Sequence, residues 1–153
     1  MKTNPFMDKA IAEAVAAAGR GEVPIGAALV DSTGKVLASA GNRTEELNDP
    51  TAHAEILVIR AGCAARGEPR LPDCDLWVTL EPCAMCAQAI SNARIRRLYY
   101  GAYDAKGGGV DHGARVFSQV TCHHQPEIYG GIDESRTAAL LKEFFARSEE
   151  RRV

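Results

Sequence analysis

Asp75-Leu76-Trp77-Val78-Thr79-Leu80-Glu81-Pro82-Cys83-Ala84-Met85-Cys86 is the stretch that decides the fold, because a strand hands over to a helix within it. Asp75 to Leu80 reads as a short strand carrying Trp77 and Val78, and Glu81-Pro82 ends it. Proline has no N–H for a sheet ladder but suits the first turn of a helix, so a helix is expected from Pro82 to about Asn92. Ile95 to Tyr100 is the next strand, and Gly101 to Gly113 a glycine-rich loop.

Working upstream, Ala52 to Ala65 is expected to form a helix capped by Asp49 or Thr51, behind a polar loop from Asn42 to Pro50. The runs Ile25 to Val30 and Lys35 to Ala40 flank Asp31-Ser32-Thr33-Gly34 and predict a β-hairpin. Before it, Met7, Ala10, Ile11, Ala14, Val15 and Ala18 recur at helical spacing, with Asn4-Pro5 at the start and Gly19 at the stop. Downstream, a weaker strand is expected at Glu127 to Ile132. Asp133 then caps a last helix with Thr137, Leu140, Leu141, Phe144 and Phe145 on one face. The order α-β-β-α-β-α-β-(β)-α predicts a mixed sheet of about five strands with helices on both faces.

The 153 residues show no repeats or linker, and residues 1–153 are read as one domain. A hydrophobic fraction of 46% and a charged fraction of 25% are those of an ordinary globular chain. No apolar run is long enough to span a bilayer, so a cytoplasmic location is expected. A net charge of −2 gives no whole-chain signal for nucleic acid. Cys63, Cys74, Cys83, Cys86 and Cys122 are odd in number and scattered, which does not read as a disulfide framework.

Two fragments carry chemistry: Thr51-Ala52-His53-Ala54-Glu55 and Glu81-Pro82-Cys83-Ala84-Met85-Cys86. Each falls at an expected helix start. Cys83 and Cys86 can project to one side of a first helical turn, and His53 supplies a third ligand from the other helix. Zinc takes four tetrahedral ligands, and a catalytic site keeps one for water. The expected cofactor is therefore one Zn2+ per chain, with a water or hydroxide as fourth ligand. Glu55, two residues past His53, is the expected catalytic proton carrier beside that water. Each fragment alone has an ordinary reading: His-X-Glu as a solvated helix start, Cys-X-X-Cys as a redox pair or half of a structural zinc site. Their conjunction, both at helix starts, is far more specific.

His-X-Glu followed by Pro-Cys-X-X-Cys is the known signature of zinc nucleobase deaminases, matched by these residues. From about Phe6 to Arg147 the chain resembles the bacterial tRNA-specific adenosine deaminases. The segments that carry the resemblance are Glu22-Val23-Pro24-Ile25-Gly26-Ala27, Gly41-Asn42-Arg43, Asp49 to Ile56, Val78 to Cys86, Tyr100 to Gly108 and Phe144-Phe145. It implies a three-layer α/β/α cytidine deaminase-like fold, a homodimer, and conversion of the anticodon wobble adenosine to inosine, chiefly in an arginine tRNA. It also implies that the tRNA anticodon stem-loop is the partner. By residue match, Asn42 hydrogen-bonds the flipped base, Asp104 lies near the ribose, Lys106 near the backbone, and Phe144 and Phe145 beside flanking nucleotides. The ordinary readings are a turn role for Asn42, a solvated loop for Asp104 and Lys106, and core packing for at least one phenylalanine.

The chain departs from the family in two places. His123 and His124 stand in Thr121-Cys122-His123-His124-Gln125-Pro126 where the best-known members have an Asn-His-containing stretch. The tail from Arg147 to Arg152 is mixed in sign, where many relatives end more basic. Arg94, Arg96 and Arg97 are then candidates for phosphate contacts. The alternative reading is a deaminase of a free nucleobase or nucleotide, such as guanine or cytosine compounds. The deaminase half of riboflavin synthesis is disfavoured by the short gap between the cysteines. A catalytically dead partner subunit is disfavoured by Glu55.

Overall fold

The structure is a computed structural model and describes residues 4–151, with side chains as far as Ser148. Helix α1 spans Pro5–Gly19 and β1 and β2 span Gly26–Val30 and Val36–Gly41. Then follow α2 (Ala54–Arg66), β3 (Asp75–Leu80), α3 (Ala84–Asn92), β4 (Arg97–Ala102), β5 (Glu127–Tyr129) and α4 (Glu134–Arg151). The five strands form one sheet in the order β2-β1-β3-β4-β5. β1 runs antiparallel to both β2 and β3, whereas β3, β4 and β5 are mutually parallel. The sheet is thus mixed, as its sequence of elements predicts.

Alternation along the strands sorts the core into two layers. Ala27 and Leu29 of β1, Leu76 and Val78 of β3, and Leu98 and Tyr100 of β4 face α2 and α3, against Val58, Ala87 and Ile90. Ala28, Val30 and Trp77 face the other way, onto Met7, Ala10 and Ile11 of α1, with Leu140 of α4 packed alongside. Phe6, Trp77, Tyr99 and Tyr129 extend that layer as an aromatic row, with Trp77 and Tyr99 stacked 3.8 Å between centroids. Contact of α1 with the sheet is close: a Cβ at Gly26 would collide with the Ala10 carbonyl oxygen.

Element boundaries differ from the sequence reading in instructive ways. Asn4 caps α1 as expected, its side chain accepting from Phe6 N at 2.8 Å and Met7 N at 3.3 Å. Neither Asp49 nor Thr51 caps α2. The Asp49 carboxylate accepts from Thr51 N at 2.8 Å and closes its own turn, and the helix begins at Ala54 behind an extended His53. Likewise α3 begins at Ala84, behind an extended Cys83, and not at Pro82. β4 sits two residues later than read, because Arg94 turns through a φ of 61° and delays the strand. That shift takes Gly101 out of the expected loop. β5 is shorter than read, ending at Tyr129. Asp133, at a φ of 56°, turns its carboxylate to Arg136. Among the described residues no helix is long and apolar enough to cross a membrane.

Candidate active site

His53 and Cys83 each occupy the residue before a helix, and Cys86 lies in the first turn of α3. An extended residue ahead of a helix leaves its side chain free to point across the helix end, where unpaired N–H groups favour negative charge. The two helix starts bring the three side chains together. Nδ1 of His53 lies 3.7 Å from Sγ of Cys83 and 3.5 Å from Sγ of Cys86, and the three donor atoms lie within 4.8 Å of one another.

Those separations fit a zinc ion. Bonds of about 2.0–2.1 Å to nitrogen and 2.3 Å to sulfur at a tetrahedral angle place N and S about 3.5 Å apart. The donor chemistry agrees, since imidazole nitrogen and cysteine sulfur are ligands zinc takes; the Cys83 thiol is held low by hydrogen bonds from Cys86 and His53. The Cys86 thiol is pushed up by Cys83 and by burial. Cys86 is fully buried while His53 and Cys83 are half-buried, so the cluster is approached from the His53 and Cys83 side.

Glu55 lies in the first turn of α2 and is only 3% exposed. Its Oε1 is buried with no hydrogen-bond partner among the described residues. Such an atom is costly unless something arrives to meet it. Burial pushes the carboxyl up to about 7.

Asn42 is buried, and its Oδ1 accepts from Ala54 N at 2.9 Å. It therefore supplies the cap that Asp49 and Thr51 do not. Its backbone is fixed as well: Asn42 N donates to Ile25 O at 3.0 Å, and Arg20 donates to Asn42 O at 3.1 Å. In the glycine-rich loop, Asp104 has a local structural task. Asp104 Oδ1 accepts from Lys106 N at 3.1 Å and Gly107 N at 2.9 Å, closing a tight turn. Asp104 and Lys106 also line a groove of about 660 Å³ together with Tyr103, Leu141, Phe145 and Ile25. Phe145 is 52% exposed there, whereas half-buried Phe144 turns into a separate groove between α1 and α4. The two phenylalanines are divided between sites.

The arginines read as phosphate contacts are engaged. Arg96 makes two 2.9 Å bonds to Asp75, Arg97 pairs with Glu127 at 2.7 Å, and Arg94 donates to Ser91 O at 2.9 Å. Nε2 of His124 donates to Ile95 O at 2.7 Å. The tail from residue 149 onward lies outside the described side chains.

Sequence reasoning missed two carboxylates. Glu22, 1% exposed, accepts from Glu45 N at 3.1 Å and Glu46 N at 2.8 Å, holding the loop that carries Asn42. Glu81, 2% exposed, accepts from the loop after β4. The available signal was an acid next to proline in an otherwise apolar run, ahead of glycine-rich N–H donors needing acceptors.

A five-stranded mixed sheet with His, Cys and Cys gathered at two helix starts defines a deaminase domain of the cytidine deaminase-like class. The family model of the cytidine and deoxycytidylate deaminase zinc-binding region matches residues 1–102. The tRNA-specific adenosine deaminase of Agrobacterium fabrum is 63% identical over 140 residues, covering 92% of this chain and 91% of that one. A solved tRNA deaminase, studied for A-to-I editing at the wobble position of transfer RNA, superposes with a TM-score of 0.87 at 63% identity, covering 89% of this chain and 98% of that one. The guanine deaminase of Bacillus subtilis superposes with a TM-score of 0.63 at 38% identity, over 67% of this chain and 66% of that one. The chain belongs to the tRNA-specific adenosine deaminase family.

Proposed function

We propose that this chain is a single-domain, cytoplasmic, zinc-dependent hydrolytic deaminase that converts the wobble adenosine of a tRNA anticodon, chiefly in an arginine tRNA, to inosine. It acts as a homodimer with one Zn2+ per chain. The observation that carries the reading is the convergence of His53, Cys83 and Cys86 at tetrahedral spacing near the buried Glu55 carboxylate, whose Oε1 has no hydrogen-bond partner among the described residues.

His53 Nδ1 and the two sulfurs would hold the metal. When bound, zinc acts as a Lewis acid that makes water a nucleophile near neutral pH. Glu55 does the proton work. Its carboxylate takes a proton from the water attacking C6 of adenine and delivers it to N1. Glu55 then takes the proton of the hydroxyl now on C6 and passes it to the exocyclic amino group; the C6–N bond breaks as the C6 carbonyl forms, and ammonia leaves. One water enters, one ammonia departs, and inosine remains.

Asn42 positions the base. Its oxygen is spent on Ala54 N, so the side-chain N–H donors remain for a ring-nitrogen acceptor. The groove of Tyr103, Asp104, Lys106 and Phe145 supplies an acceptor for a ribose hydroxyl, a cation for phosphate and an aromatic face for a flanking base. Extruding the target from an anticodon loop costs at most a few kcal/mol, less than from a duplex.

A second reading, deamination of a free guanine or cytosine compound, is favoured by the similarity to a guanine deaminase over two thirds of the chain. Incubating zinc-loaded protein with an arginine anticodon stem-loop bearing a wobble adenosine, in parallel with free nucleobases and nucleotides, separates the two. Inosine in the stem-loop alone is the expected result. Ammonia from a free base alone would overturn the tRNA assignment and keep the zinc chemistry.

A further inference from the structure

Glu81 directly follows β3, two residues before Cys83, and its side chain is fully buried. Both oxygens are occupied. Oε1 accepts from Asp104 N at 3.0 Å and from His112 Nδ1 at 2.8 Å. Oε2 accepts from Val110 N at 3.2 Å, Asp111 N at 2.9 Å and His112 N at 3.0 Å. All five donors belong to the loop that follows β4. That loop lies directly on the cysteine-bearing helix start: Gly109 N donates to Pro82 O at 2.8 Å, and a Cβ at Gly109 would stand 2.6 Å from Ala84 N. A Cβ at Gly108 would stand 2.5 Å from the Glu81 carboxylate, so the loop can only wrap the acid where a glycine faces it. The outer end of the same loop carries Tyr103, Asp104 and Lys106 of the groove.

We propose that Glu81 is a positioning residue for the deamination, fixing the groove formed by Tyr103, Asp104 and Lys106 relative to the start of α3 that bears Cys83 and Cys86. The proposal rests on the tRNA-editing reading above. Hydrogen-bond partners that orient metal ligands without touching substrate contribute about 10- to 100-fold in activity, and a loop anchor beside those ligands is set on the same scale. Glutamine cannot replace Glu81. Oε1 and Oε2 each face backbone N–H donors, so an amide in either orientation sets its NH2 against at least one of them. One end of the loop is released, while Pro82 and the cysteines stay in place.

The test is E81Q, with M7A as a comparator destabilised in the α1 layer across the sheet. Zinc per chain, kcat and KM for the anticodon stem-loop, and amide hydrogen exchange over residues 104–112 are measured in wild type and both variants. The expected result is unchanged zinc content, a KM raised about 10-fold or more, and fast exchange confined to the 104–112 amides in E81Q. M7A is expected to lower the unfolding temperature without moving KM. A KM in E81Q no higher than in M7A, with the loop amides still protected, would overturn the proposal. Should E81Q fail to fold, H112A removes one of the five donors and carries the same test: a raised KM at full zinc supports the role, and an unchanged KM removes it. Wild-type protein that makes no inosine in the stem-loop would sink the editing reading instead, while the exchange comparison still reads the loop anchor.

Discussion

Asn42 Oδ1 accepts a 2.9 Å hydrogen bond from Ala54 N, so a residue twelve positions upstream caps the helix that opens behind His53. The bond leaves His53 free of capping duty and lets its ring face the two sulfurs. It also occupies the oxygen end of the amide, so the base contact proposed for Asn42 would fall to its N–H donors.

Substitution separates these roles. N42A removes a buried cap and is expected to lower stability by about 1–2 kcal/mol, read by urea unfolding of the zinc-loaded protein. N42D keeps an acceptor for Ala54 N and is expected to recover most of that loss. Activity on the stem-loop should stay low in both, because neither keeps a side-chain N–H. Full activity in N42D would show that the donor end is not used.

Glu55 is expected to carry the proton transfers. E55A should reduce kcat by at least about 100-fold while zinc content per chain is unchanged. Atomic absorption on the purified variant checks the second half of that statement. Normal turnover would remove Glu55 from the mechanism.

Chelation provides an independent test of the ligand set. Stripping the metal is expected to abolish activity, lower the unfolding temperature and expose Cys83 to alkylation ahead of Cys86, which is fully buried. Mass spectrometry of the alkylated protein locates the label. Re-addition of Zn2+ before the alkylating agent should protect both cysteines. Equal labelling with and without metal would mean that they are not ligands.

Glu22 predicts a signature in acid. Burial would raise its carboxyl, but hydrogen bonds from Glu46 N, Glu45 N and Thr44, with Arg20 nearby, win and hold it below its ordinary value of 4.5. A depressed folded pKa contributes stability that is complete above the unfolded value. The contribution is lost as pH falls from about 4.5 through the lower folded value. E22Q should therefore be less stable than wild type near neutral pH, with the gap closing in acid. A gap independent of pH would assign the effect to packing.

Much of this was legible in the chain. Apolar period gave α1 and α4, cap, turn and proline signals gave α2, the β1–β2 hairpin and α3, and hydrogen-bonding capacity explains the ends that moved. α1 opened where Asn4-Pro5 says, because the cap is local and needs only its own N–H groups. α2 and α3 opened later than expected, because their caps and approaches are not local: Asn42 arrives from β2, and His53 and Cys83 stay extended to reach each other. The partners of the basic residues at β4 were not legible for a related reason. Arg96 finds Asp75 of β3, and Arg97 finds Glu127 of β5, partners brought alongside only by the sheet.

The sequence by itself determined which groups are available, since His53, Cys83 and Cys86 are the nitrogen and sulfur donors that zinc takes and Glu55 is a carboxyl two residues from one of them. Only the tertiary structure decided what holds that chemistry in place. Glu22 and Glu81 look like ordinary acids in a linear string. Each becomes an anchor when folding removes it from water and most of the compensation within reach is the backbone N–H groups of a distant loop. The division between Phe144 and Phe145 has the same origin, because adjacent helix positions point to different neighbours and the string cannot say which neighbours those are.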